Sequence, residues 1–203
     1  LTGGQPRVSA FGPPAADELP LTLIRDLDPD VDQPLFREEP FCSLLSQTAV
    51  GSADPLEYLD AAVRFANQRL WGTLTATLIV HPHSLRDPVI ARAVDDALAR
   101  LRYGTLGINV FPGVGFGLGA TPWGAYPGAT RENIQSGCGF VHNTSMLEDI
   151  EKTILRGPLT LPLAQPYRPG HRTAHRLVRR LVDLETARGW SHLPGFVAAA
   201  LGG

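Results

Sequence analysis

Few side chains in this sequence have nucleophilic or ligating capacity. Cys42 follows Glu38-Glu39-Pro40-Phe41, and two carboxylates beside a thiol oppose the thiolate that a nucleophile requires. It reads as inert or structural. Cys138 lies in Ser136-Gly-Cys-Gly-Phe140, where glycines permit close backbone approach, and His142 is the one base identifiable beside it. A Cys138/His142 dyad is therefore the nucleophilic pairing to test.

Other constellations have plainer readings. His81 and His83, two positions apart, share a face if they lie on a strand, yet no third ligand has metal-site spacing. They read as a solvated strand end. Gly113, Gly115, Gly117 and Gly119 resemble a dinucleotide loop only superficially, because GxGxxG needs glycine where Leu118 stands. Asn143-Thr-Ser is a glycosylation acceptor by pattern alone. Arg172, Arg176, Arg179 and Arg180 alternate with Leu177, Leu181 and Leu184, which describes a solvated helix face over an apolar stripe better than a nucleic-acid surface.

The elements that must position these residues follow from local pattern. Residues 1–20, rich in Gly and Pro, read as an entry loop before a strand at Leu21 to Ile24. Asp26 to Pro34 reads as solvated turn, and Phe41 to Val50 as a strand. Asp54-Pro-Leu-Glu caps a helix running to about Leu70–Gly72, its apolar positions at helical spacing. Thr73 to Val80, apolar and β-branched, reads as a strand covered on both faces. Asp87-Pro88 caps a second helix to about Arg102, and Thr105 to Phe111 is a further strand, which gives β-α-β order. Pro112 to Gly128 is too long and too rich in Gly and Pro for an ordinary connection. Gly137 to Thr144 continues it. Lys152 to Leu161 suits an edge or interface strand, and His171 to Arg188 a basic amphipathic helix.

Several phrases, taken in order, resemble the closing part of the aldehyde dehydrogenase superfamily. Leu1-Thr-Gly-Gly and Pro34-Leu-Phe-Arg-Glu-Glu-Pro-Phe41 resemble its glycine pair and its Glu-Glu-Ile-Phe-Gly-Pro motif. Ala66-Asn67 with Trp71-Gly-Thr-Leu-Thr-Ala76, Tyr103-Gly-Thr-Leu-Gly-Ile-Asn109 and Pro122-Trp-Gly-Ala-Tyr-Pro-Gly128 resemble three later motifs. The likeness spans about residues 1 to 145. Cys42-Ser43 and Pro127 depart from the pattern, the first replacing Gly-Pro and the second a lysine.

The resemblance implies the fold class: α/β, the C-terminal portion of a three-layer αβα catalytic domain over 1–150. An oligomerisation strand and a C-terminal helical extension would follow over 151–203. It implies that Glu39 holds the nicotinamide-ribose hydroxyls and that Phe41 lies near the nicotinamide ring, so NAD or NADP is the expected cofactor. Phe116 and Trp123 are expected to line the passage of a small-molecule aldehyde, and the late strand to pair across a homo-oligomer boundary. The family's nucleophilic cysteine, general-base glutamate and Rossmann domain lie farther upstream than the residues preceding Glu39 allow. No catalytic residue and no metal ligand is therefore expected here, and the chain, which opens without methionine, is expected to be a fragment inactive alone. The alternative is an interaction or oligomerisation module of the same fold.

Composition agrees with a soluble globular protein. In 203 residues, 43% hydrophobic, the 18 basic and 20 acidic side chains leave a formal charge of −2, so no long-range pull on nucleic acid or anionic membrane is expected. Two cysteines do not make a disulfide framework, and no apolar run reaches the roughly 18 residues of a bilayer span. A cytoplasmic location is the resulting expectation.

Overall fold

A computed structural model describes residues 7–11, 20–160, 173–187 and 190–201. The chain is mixed α/β and divides into two compact units, Leu1–Gly157 and Pro158–Gly203. The strands of the first unit are β1 (Arg7–Phe11), β2 (Leu21–Leu27), β3 (Leu44–Thr48), β4 (Thr75–Leu78), β5 (Thr105–Ile108), β6 (Trp123–Gly124), β7 (Phe140–Val141) and β8 (Thr153–Arg156). Its helices are α1 (Pro34–Arg37), α2 (Pro55–Arg69), α3 (Pro88–Arg100) and α4 (Val114–Leu118). They form three small sheets, β1-β2-β3, β4-β5-β8 and β6-β7.

The two long helices start where their caps dictate. Asp54 accepts from the backbone N–H of Leu56 at 2.9 Å and of Glu57 at 3.0 Å, with Pro55 at the first position. Asp87 accepts from Val89 N at 2.8 Å ahead of Pro88. Each cap satisfies orphan donors of the first turn and contributes about 1 kcal/mol. Val63 of α2 and Val94, Ala97 and Leu98 of α3 then meet Leu106 and Ile108 of β5, with Leu101 and Tyr103, in one buried cluster. Burial of the Tyr103 phenol raises its pKa above the ordinary tyrosine value.

Strands β4, β5 and β8 run parallel, β5 central, with Thr75 opposite Thr105 and Thr105 opposite Thr153. All four residues of β5 are buried. β4 differs from the expectation of cover on both faces. Ala76 and Leu78 pack on the core, but Thr77 is exposed and Ile79, just past the strand, is 78% exposed, because the helices cover one face of this outer strand only. Asn109 extends the ladder beyond β5. Its side chain accepts from Val80 N and donates to Val80 O, both at 2.8 Å, in place of a backbone peptide.

The β1-β2-β3 sheet departs from the sequence reading in three places. Arg7–Phe11, read as loop, is a strand antiparallel to β2, its short apolar run hidden among glycines and prolines. β2 continues past Ile24 through an irregularity in which Asp26 adopts φ 63° before Leu27 resumes pairing and is buried. α1 was not anticipated. Phe36 anchors it, buried and edge-on to Phe65 at 5.0 Å, while its carbonyl accepts from Trp71 N at 2.9 Å.

The late strand expected over 152–161 is seen at Thr153–Arg156, and the basic helix over 171–188 as α5 (Ala174–Thr186) in the second unit. Leu161, His171, Arg172 and Arg188 lie outside the described residues, as do the glycine pair Gly3-Gly4 and Leu1. In that unit α5 packs on α6 (Leu193–Leu201), and Thr173 Oγ1 donates to Ala199 O at 2.7 Å. No helix among the described residues is long and apolar enough to cross a membrane.

Candidate functional site

Glu39 and Phe41 stand on the stretch between α1 and β3, and both its ends are fixed. Upstream, Glu38 N donates to Pro34 O at 2.9 Å, closing the anchored turn. Downstream, Ser43 O accepts from Thr22 N and Cys42 O from Leu44 N, both at 2.8 Å. Between these anchors the backbone turns back on itself at Phe41, with φ 44°. A left-handed conformation costs a non-glycine residue about 1–2 kcal/mol, and the Phe41 ring is 88% exposed.

The residues around this turn line a cleft of 450 Å³ that includes Leu35, Glu39, Phe41, Cys42 and Leu45. The two sequence-predicted cofactor residues are thus brought to one depression. No described cation pairs with the Glu39 carboxylate, so both its oxygens can accept hydroxyl hydrogen bonds. An acceptor-only carboxylate beside an uncovered aromatic ring offers hydrogen-bond acceptance to hydroxyls and a face for a flat ring. Cys42 shares the cleft and is exposed, yet no His, Lys or Arg lines it to serve as base or counter-ion.

Phe116 and Trp123 also meet, edge to face with ring centroids 5.8 Å apart. Two close backbone approaches set Trp123. A Cβ on Gly104 would lie 1.8 Å from Gly124 O, and one on Gly124 would lie 2.3 Å from Gly139 O, so three segments stack where only glycine fits. Thr121 Oγ1 to Gly115 O at 2.9 Å and Thr153 Oγ1 to Pro122 O at 2.8 Å fix the loop on either side of Pro122.

His142, which the sequence offered only as a partner to test for Cys138, joins this pair. Its ring lies 5.2 Å from that of Phe116, its backbone sits at φ 65°, and its Nδ1 is buried without a partner. No hydrogen bond links it to Cys138, which is exposed. The dyad therefore does not form. The β6-β7 pairing, Trp123 opposite Val141, carries His142 there, and a two-residue strand leaves no periodic trace in sequence. His81 and His83 form no site either. Their rings are 6.5 Å apart, and His81 Nδ1 accepts from His83 N at 3.1 Å, closing a turn. Among the described residues no three His, Cys, Asp or Glu side chains gather to hold a metal ion.

Comparison with protein-family models and with curated proteins returns no match.

Proposed function

We propose that this chain forms the cofactor-facing wall of an NAD(P)-dependent aldehyde dehydrogenase site and turns over no aldehyde by itself. The observation that carries the reading is the shared cleft of Glu39 and Phe41, with the ring exposed and the backbone at φ 44°. The Glu39 carboxylate accepts the two ribose hydroxyls, which fixes the sugar, and the Phe41 ring covers one face of the nicotinamide. The nicotinamide supplies hydride acceptance when bound. Phe116 and Trp123 exclude water along the aldehyde's path. Neither Cys42 nor Cys138 stands where the family's nucleophile does, so the thiol that attacks the aldehyde comes from residues other than these. On this reading the parallel sheet belongs to a three-layer αβα catalytic domain, and β8, at the sheet's outer edge, supports a homo-oligomer.

The test is NAD+ and NADP+ titration of the chain by saturation-transfer NMR, alongside an aldehyde panel. Millimolar binding of one dinucleotide, weakened at least tenfold in Glu39→Gln, with no aldehyde oxidation, is expected. Absence of binding, or binding indifferent to Glu39→Gln, would refute the assignment. Oxidation by the chain alone would overturn the placement of the nucleophile. A second reading, an interaction module without chemistry, draws on the exposure of Phe41 beside Leu45, itself 68% exposed. It predicts concentration-dependent association that Phe41→Ser abolishes, without dinucleotide binding.

A further inference from the structure

A second cleft, of 370 Å³, opens where α2 ends, bordered by Asn67, Gly72, Thr73, Arg102, Tyr126 and Gln135. Hydrogen bonds already made fix its walls. Asn67 Nδ2 donates to Arg100 O at 2.8 Å while its Oδ1 accepts from Arg102 N at 2.9 Å, which locks the last turn of α2 to the exit of α3. Thr73 O accepts from Gly104 N and Tyr126 N, both at 3.0 Å, and Thr73 N donates to Ser136 Oγ at 2.8 Å. The cleft is preorganised and does not depend on a ligand for its shape.

Arg102 is the one lining residue with a full charge, and it is exposed. Arg102 follows α3, and of the arginines on α3 and β8 two have acidic partners, Arg100 with Asp60 and Asp96 and Arg156 with Asp95, while Arg92 has none among the described residues. Among the described residues Arg102 has none. Tyr126, which lines the cleft, donates its hydroxyl to the Glu151 carboxylate at 2.6 Å. A guanidinium with no acidic partner among the described residues, in a cleft that the neutral Gln135 also lines, matches an oxyanion's planar or tetrahedral set of acceptors.

We infer that this cleft is a binding site for a small oxyanion, a carboxylate or a phosphoryl group, held by Arg102. The site stands apart from the dinucleotide reading and requires neither Glu39 nor Phe41. Neutralising Glu151 removes a competing negative charge and strengthens the site, and salt weakens it because the cation faces solvent.

The experiment is an NMR titration of the intact chain with inorganic phosphate and, separately, acetate. It follows the amides of Gly72, Gly128 and Gln135 and the Arg102 Nε–H. Saturable shifts in the millimolar range are expected, weakened at least tenfold in Arg102→Gln, unchanged in Arg92→Gln and strengthened a few-fold in Glu151→Gln. Saturation by both anions identifies a general oxyanion site, and saturation by phosphate alone a phosphoryl site. Shifts that never saturate, or that persist in Arg102→Gln, overturn the proposal. Amide spectra of the variants matching the parent away from the cleft show that the fold is intact.

Discussion

Lys152 closes the C-terminus of α3, and replacing it by methionine removes that contribution together with the ammonium's place 5.3 Å above the Tyr126 ring and its 3.9 Å approach to Glu151. Its side chain is 9% exposed. Nζ donates to Ala99 O and Leu101 O at 2.7 Å and to Leu98 O at 3.3 Å. Those carbonyls have no partner within the helix, and the ammonium also faces the negative end of the helix dipole. Two short charge-assisted bonds at about 1.5 kcal/mol each give roughly 3 kcal/mol. Against this stands the cost of desolvating the ammonium, visible in a pKa lowered from the ordinary lysine value by burial, with Glu151 opposing. Roughly 1 kcal/mol of the gain is offset in that way. Met keeps the stem, so the packing is unchanged, and the net loss is about 2 kcal/mol.

Urea unfolding followed by far-ultraviolet circular dichroism measures the effect. With a slope of about 2 kcal/mol/M, the midpoint of Lys152→Met falls by about 1 M. The sign of the pH response follows from the same burial. Because the folded pKa is depressed, the unfolded chain binds this proton more tightly, so stability from this group rises as pH passes from the folded pKa towards 10.5. The parent shows that rise and Lys152→Met does not. A midpoint shift under about 0.25 M refutes the role of cap, and identical alkaline profiles refute the depressed pKa.

Three further outcomes are expected. The hydrogen bond to Glu151 raises the Tyr126 pKa above 10.0, with burial and the negative charge of Glu151 adding to it and Arg102 opposing. Its contribution to stability is therefore present below pH 10 and lost as pH rises through the folded pKa. Glu151→Gln moves the phenolate absorbance transition down towards the ordinary value. Gly104→Ala places a Cβ 1.8 Å from Gly124 O, and rigid backbone on both sides makes the cost at least about 3 kcal/mol, read as a collapse of the thermal midpoint. Asn109→Ala removes both bonds to Val80 and leaves alanine at φ 56°, with a loss of about 2 to 3 kcal/mol and faster hydrogen exchange at Val80.

The central β-α-β segment was legible because each signal there is local. Asp54-Pro55 and Asp87-Pro88 carry their caps within three residues, and the apolar positions of α2 and α3 recur at helical spacing. What failed was decided by distant partners. β1 exists through antiparallel pairing with β2, and β2 bends at Asp26 while Asp26 N donates to Gln47 Oε1 at 3.0 Å across the sheet. The two-residue strands β6 and β7 depend on the Gly104, Gly124 and Gly139 stack, which joins positions far apart in sequence.

The grouping of the candidate residues was legible where they lie close along the chain. Glu39 and Phe41 are two residues apart, so a single turn suffices to place them in one cleft. Phe116 and Trp123 meet because α4 and the constrained Pro122 turn fold the loop back over a short distance. The Cys138/His142 pairing that the sequence left to be tested rested on proximity along the chain, which does not set direction. The left-handed residues at 142 and 143 turn the chain, so the ring lies on Phe116 and not beside the thiol. Arg102 carried no sequence signal, since an unpaired cation is defined by where carboxylates are not. The Asn67 link between α2 and α3, which sets its backbone, spans residues 35 apart. The cleft it lines therefore follows from helix packing, and changes that loosen α2 against α3 would disturb that cleft without acting directly on the turn that carries Phe41.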